Sequence, residues 1–129
     1  MAGKFSVPIF VESRYRVNRR KVVECVRGEL TRQGLSHDAE VSVAIVGRRK
    51  MLALNRKYRN LDKPTNVLSF VLNEGEKVPS VDKTLILGDI VVCYPIAVEQ
   101  AAVENTLVDE KICELVAHSV RHLLGIHHS

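Results

Sequence analysis

Four of the five histidines of this 129-residue chain fall in its last twelve residues, HSVRHLLGIHHS, and three of them are spaced H-x3-H-x5-H. His118 and His122 are i and i+4, which on a helix sets both rings on one face, about 5–6 Å apart at Cβ. Gly125 follows three residues after His122 and can end that helix with a positive φ. The chain can then return His128 to the same ion. Three neutral imidazoles leave the fourth position of a tetrahedral zinc site open, which is the pattern of a catalytic rather than a structural metal. Nickel or copper also suits imidazole. The spacing matches the zinc-protease pattern H-E-x-x-H-x-x-G-x-x-H, except that Ser119 stands where the protease needs its glutamate base. A metal site without a peptidase mechanism is expected, and a peptide-cleaving metallohydrolase is disfavoured.

The length predicts one domain over residues 1–129. Hydrophobic residues make up 46% of the chain, enough for a core. No apolar run approaches the ~18 residues of a membrane span, and the N-terminal residues do not read as a signal peptide. Cys25, Cys93 and Cys113 are odd in number and never form a C-x-x-C pair. They read as reduced, mostly buried thiols of a cytoplasmic protein.

The formal charge of +4 is unevenly spread. Residues 1–63 carry 15 Lys+Arg against 6 Asp+Glu, and residues 64–129 carry 4 against 9. A basic half suggests a polyanionic partner. The metal lies in the acidic half, so one reaction would require the fold to bring the halves together.

The pattern predicts β-α-β-α-β-β-α-α. Phe5 to Val11 reads as a first strand, with Pro8 favouring an edge. Asn18 caps a helix to about Gln33, stopped by Gly34. Glu40 to Val46 alternates with period two and turns Val41, Val43 and Ile45 to one face. A helix from about Arg48 to Arg59 has Met51, Leu52, Leu54, Asn55 and Tyr58 inside. A strand over Asn66 to Leu72 precedes a polar loop, Asn73 to Lys83. Leu85 to Cys93 is an apolar strand in which Gly88 suggests a bulge. Pro95 opens a short helix, Thr106 to Asp109 reads as a capping box, and the last helix runs from about Val108 to Leu124 with Ile112, Leu115, Val116, Ser119 and Leu123 inward. The class is α+β: a small mixed sheet of about four strands covered by helices, with the metal site at the C-terminal helix.

Asp62, Asp89, Glu114 and His127 are the acid/base candidates from elsewhere in the chain, and spacing alone does not place them relative to the metal. Arg59 ends its helix just before YRNLDKPTNVLSF turns into a strand. It reads either as a cation at a helix C-terminus or as a guanidinium that clamps a phosphate.

LNRKYRNLDKPTNVLSF over residues 54–70, LGDIVV over 87–92 and HSVRHLLGIHH over 118–128 together resemble the YbeY-type rRNA-maturation endoribonucleases. The resemblance implies a zinc-dependent, single-strand-specific endoribonuclease, cytoplasmic or organellar. It would act on 16S rRNA 3′ ends at the small ribosomal subunit and in ribosome quality control. It implies His118, His122 and His128 as ligands of one Zn2+, Arg59 as the catalytic residue, and Arg59, Lys63, Thr65 and Asn66 as the RNA-binding set. RNA is expected to lie along the first two helices, held through phosphates. Three departures stand out. His127 replaces a usual aspartate, Arg121 stands where leucine is common, and the sequence ends at Ser129 where the family usually continues for a further helix. These keep open an alternative function, a non-catalytic ribosome- or RNA-binding factor with a structural metal.

Overall fold

A computed structural model of the chain describes residues 3–72 and 84–125. The expected loop Asn73 to Lys83 lies outside the described residues. The elements run β1 (Phe5–Ser6), β2 (Ile9–Val11), α1 (Arg19–Arg32), β3 (Ala39–Val46), α2 (Arg48–Arg59), β4 (Val67–Val71), β5 (Leu85–Cys93), α3 (Tyr94–Glu104) and α4 (Val108–Leu123). The class is α+β with a mixed sheet, as expected. Among the described residues the strand count rises to five because the first expected strand divides at Pro8. Proline lacks the N–H that a ladder needs, but its carbonyl still accepts from Val43 N at 2.9 Å. Both pieces therefore pair parallel with β3.

The sheet order is β1-β3-β5-β4, with β2 also beside β3. β3 and β5 run parallel, while β4 pairs antiparallel with β5 at the edge. The register between β3 and β5 slips after Glu40, where Leu87 is the extra residue before Gly88. A Cβ on Gly88 would stand 2.1 Å from the Phe70 carbonyl oxygen, so the strands can approach only with glycine there.

Period-two alternation splits the sheet into two faces. Val41, Val43, Ile45, Leu87, Ile90 and Val92 join α1 and α4 in the main core. Val46, Leu68, Val91 and Cys93 pack on the other side against Met51 of α2. The first two helices therefore cover opposite faces of the sheet. A single strand of RNA along both, as the sequence suggested, does not fit this arrangement. α1 begins as expected, with Asn18 Oδ1 accepting from Lys21 N at 3.1 Å. Its stripe of Val22, Val26 and Leu30 is fully buried.

Further expectations fail. Tyr58, expected on the inner face of α2, is exposed. The Thr106–Asp109 capping box does not form: α4 starts at Val108, and Leu107 before it makes no side-chain cap bond. Thr106 N is used instead to close α3, donating to Ala101 O at 2.9 Å. The cysteines are not all free. Cys25 of α1 and Cys113 of α4 form a disulfide, Cα to Cα 5.8 Å, across 88 residues of sequence. No local spacing could signal it, because only the packing of α1 on α4 brings the two together. Cys93 is free and buried, and burial pushes its thiol pKa up.

Candidate metal and phosphate site

The site begins with α4, whose inward face is Ile112, Leu115, Val116, Ser119 and Leu123, all buried as the periodicity predicts. Anchoring that face turns the opposite one outward, with His118 and His122 exposed on successive turns. Their rings lie 4.5 Å apart between centroids, inclined by 61°. The two Nε2 atoms face each other across 2.9 Å.

A cleft of about 300 Å³ opens beside them, lined by Arg59, Val67, Leu68, Ser69, His118, Ser119 and His122. Three elements build it. α4 supplies the imidazoles, the edge strand β4 supplies Ser69, and the last residue of α2 is Arg59. The fold thus brings Arg59 of the basic half to the histidines of the acidic half, the juxtaposition that a shared reaction would need. Among the described residues, Arg59 makes no salt bridge, whereas its helix neighbours Arg48 and Arg56 pair with Glu99 and Asp62.

The turn after Arg59 is held from within the helix. Asn60 takes the left-handed conformation at φ 55° and caps α2. Leu61 N donates to Asn55 O at 3.2 Å, and the buried Asn55 amide donates to Lys63 O at 2.6 Å. Of the remaining residues of the expected RNA-binding set, Lys63 is exposed while Thr65 and Asn66 are half-buried in the approach to β4. Asn66 Nδ2 donates to Gln100 of α3 at 3.1 Å. These three do not line the cleft with Arg59. Asn66 instead ties the strand entrance to α3, and its carbonyl accepts from Cys93 N at 2.8 Å.

None of the expected carboxylates lines the cleft either. Asp62 is paired with Arg56. Glu114 accepts from Lys111 Nζ at 3.3 Å. Asp89 lies in a groove on the α2 face of the sheet, with Phe10, Tyr58 and Phe70. His127 and His128 lie outside the described residues. Among the described residues, no group of three or more His, Cys, Asp or Glu converges.

The donor pair present fits a metal. Zn–N bonds are about 2.0–2.1 Å, so the two Nε2 atoms, 2.9 Å apart, would both be within reach of one ion after a small separation of the rings. Neutral imidazole nitrogens are suitable donors for a borderline cation such as zinc.

Two residues of the site were not expected from sequence. Ser69 points into the cleft because Val67 and Ser69 alternate with Leu68 and Phe70, a signal present in VLSFV. Ser119 was placed in the core, which holds, but its hydroxyl has no hydrogen-bond partner among the described residues. It lies at the cleft wall rather than in a closed apolar pocket.

A family model described as Endoribonuclease YbeY matches residues 10–129. The chain belongs to the endoribonuclease YbeY family. An Endoribonuclease YbeY of Desulforamulus reducens is 42% identical over 113 residues, covering 86% of this chain and 74% of that protein. One from Pelotomaculum thermopropionicum is 38% identical over 115 residues, covering 83% and 76%. In three dimensions the chain resembles TM1509 from Thermotoga maritima, solved in solution, with a TM-score of 0.60 and 27% identity over 95% of this chain and 75% of that one. The family match takes in Arg59, both described histidines and the residues that follow them.

Proposed function

We propose that this chain is a metal-dependent endoribonuclease that hydrolyses single-stranded RNA. Its place is in rRNA maturation, at the 3′ end of 16S rRNA on the small ribosomal subunit, in the cytoplasm or an organelle. His118, His122 and His128 hold one Zn2+, and Arg59 is the catalytic residue. The observation that carries this reading is one cleft shared by Arg59, from the basic half, and the facing imidazoles of α4.

A bound zinc ion supplies Lewis acidity and a nucleophile available near neutral pH. The rest falls to the chain. The two N–H edges of the Arg59 guanidinium match two phosphate oxygens and stabilise the charge that grows on them in the transition state. The turn held by Asn55 keeps Arg59 at the end of α2. Ser69 offers a hydroxyl from the β4 wall. Arg49, Lys50 and Lys57 of α2 are also exposed but lie on other faces of the helix than Arg59 and do not line the cleft. They add to a basic surface whose hold on RNA phosphates falls with salt.

The test is cleavage of a labelled single-stranded RNA by the purified chain, with and without chelator. Chelator and His122→Ala should each abolish cleavage, and Arg59→Ala should reduce it about 100-fold or more, as loss of a transition-state donor does. Cleavage indifferent to chelator and to His122→Ala would refute the mechanism. RNA that binds through Arg59 but is never cut would favour the non-catalytic RNA-binding factor.

A further inference from the structure

We infer that Glu29 is a positioning residue for His122, acting through Arg121; this rests on the metal reading above. Arg121 and His122 are neighbours in the last turn of α4, and consecutive helix residues point about 100° apart. His122 faces the cleft while Arg121 turns to α1, where Arg121 Nη1 lies 3.3 Å from Glu29 Oε2. Whatever fixes the direction of Arg121 therefore also fixes the direction of His122.

Glu29 is built for that task. It is 2% exposed, in the last turn of α1. Its other bonds come from its own helix: Gln33 Nε2 at 2.7 Å and Arg32 Nη1 at 3.0 Å. The carboxylate is thus held from α1 and reaches across to α4 through Arg121 alone among the described residues.

The apolar contact cannot supply the same constraint. Burial of Val26, Leu30, Val116, Val120 and Leu123 is non-directional and tolerates small rotations of α4 about its axis. A buried ion pair is weak evidence for stability; here the proposed role of the Glu29–Arg121 pair is its directed contact from α1 to α4. The need is greatest here, because α4 ends at Leu123 and Gly125 follows with φ +78°. Helix ends fray unless held. The disulfide at Cys113 holds the same helix pair about two turns earlier.

The test is Co2+ binding by the full chain, read as affinity and as the visible absorption of the bound ion. Glu29→Gln and Arg121→Met should each weaken Co2+ binding about tenfold and shift the absorption. The double variant should be no weaker than either single. Arg32→Ala removes a bond to Glu29 but none to α4, and should bind within twofold of wild type. Leu30→Ala should lower Tm without changing the spectrum. If Glu29→Gln does not fold, Arg121→Lys, which keeps the charge but not the forked geometry, should show the same weakening. Wild-type affinity and spectrum in these variants, or a spectrum shift in Leu30→Ala equal to theirs, overturns the inference while the metal reading stands. No Co2+ binding by the wild-type chain overturns both.

Discussion

The side-chain amide of Asn55 donates to the carbonyl oxygen of Lys63 at 2.6 Å. Asn55 is wholly buried, so this bond closes the 60–63 turn from inside α2. Asn55→Leu removes the donor and leaves the carbonyl without it. The expected cost is about 1–3 kcal/mol, measured as a lower urea midpoint. RNA cleavage should fall further than stability alone explains, because the turn follows directly on Arg59. Unchanged cleavage in a destabilised variant would separate the turn from the site.

Gly88 is the second structural pivot. Its φ is +155°, and an added Cβ would meet the Phe70 carbonyl at 2.1 Å and Leu123 Cδ2 at 2.8 Å. Gly88→Ala should push β4 from β5 and cost about 1–3 kcal/mol from overpacking, with backbone strain in addition. Denaturant unfolding checks this. A variant with wild-type stability would mean that β4 pairs otherwise.

The disulfide makes a count that chemistry can verify. With Cys25 and Cys113 joined, the denatured, unreduced chain should titrate one thiol, and the reduced chain three. Reduction or Cys113→Ser should cost about 2–4 kcal/mol, as the loss of a long-range cross-link does, and lower Tm accordingly. Three thiols before reduction would refute the bond.

Glu29 gives a pH dependence of definite sign. Burial alone pushes its carboxyl up, but the hydrogen bonds from Gln33 and Arg121 and the charges of Arg121 and Arg32 outweigh it. The net shift is downward from 4.5. A group with a lowered folded pKa contributes stability above its unfolded pKa and loses it as pH falls through the folded one. Wild type should therefore lose stability below about pH 4.5 more steeply than Glu29→Gln. Parallel curves of Tm against pH for the two chains would count against the ion pair.

Much of this architecture could be read in advance because it follows from periodicity. Val41, Val43 and Ile45 had to share a face, and His118 and His122 had to share another on any helix that buried Ile112 and Val116. Gly88 and Pro8 announced a bulge and an edge through what their backbones cannot do. The remainder depends on which segments meet in space. Nothing near Cys25 points to Cys113, and nothing near Glu29 points to Arg121. Asp62, Asp89 and Glu114 looked equally suited to the metal until the sheet placed Asp89 on its far side and Arg56 and Lys111 took the other two. α1 and α2 carry similar basic faces, yet only α2 ends at the cleft.

The convergence of α2 and α4 has an electrostatic consequence. Both helices point their C-terminal ends toward the same cleft, through Arg59 and through His122 in its last turn. Each such end carries roughly half a negative elementary charge from its unsatisfied carbonyls. Left to the backbone alone, this recess would turn a polyanion away. A phosphodiester would be accepted there only if cations offset this charge, so under the proposed reading a metal ion on the imidazoles would also set the affinity for RNA.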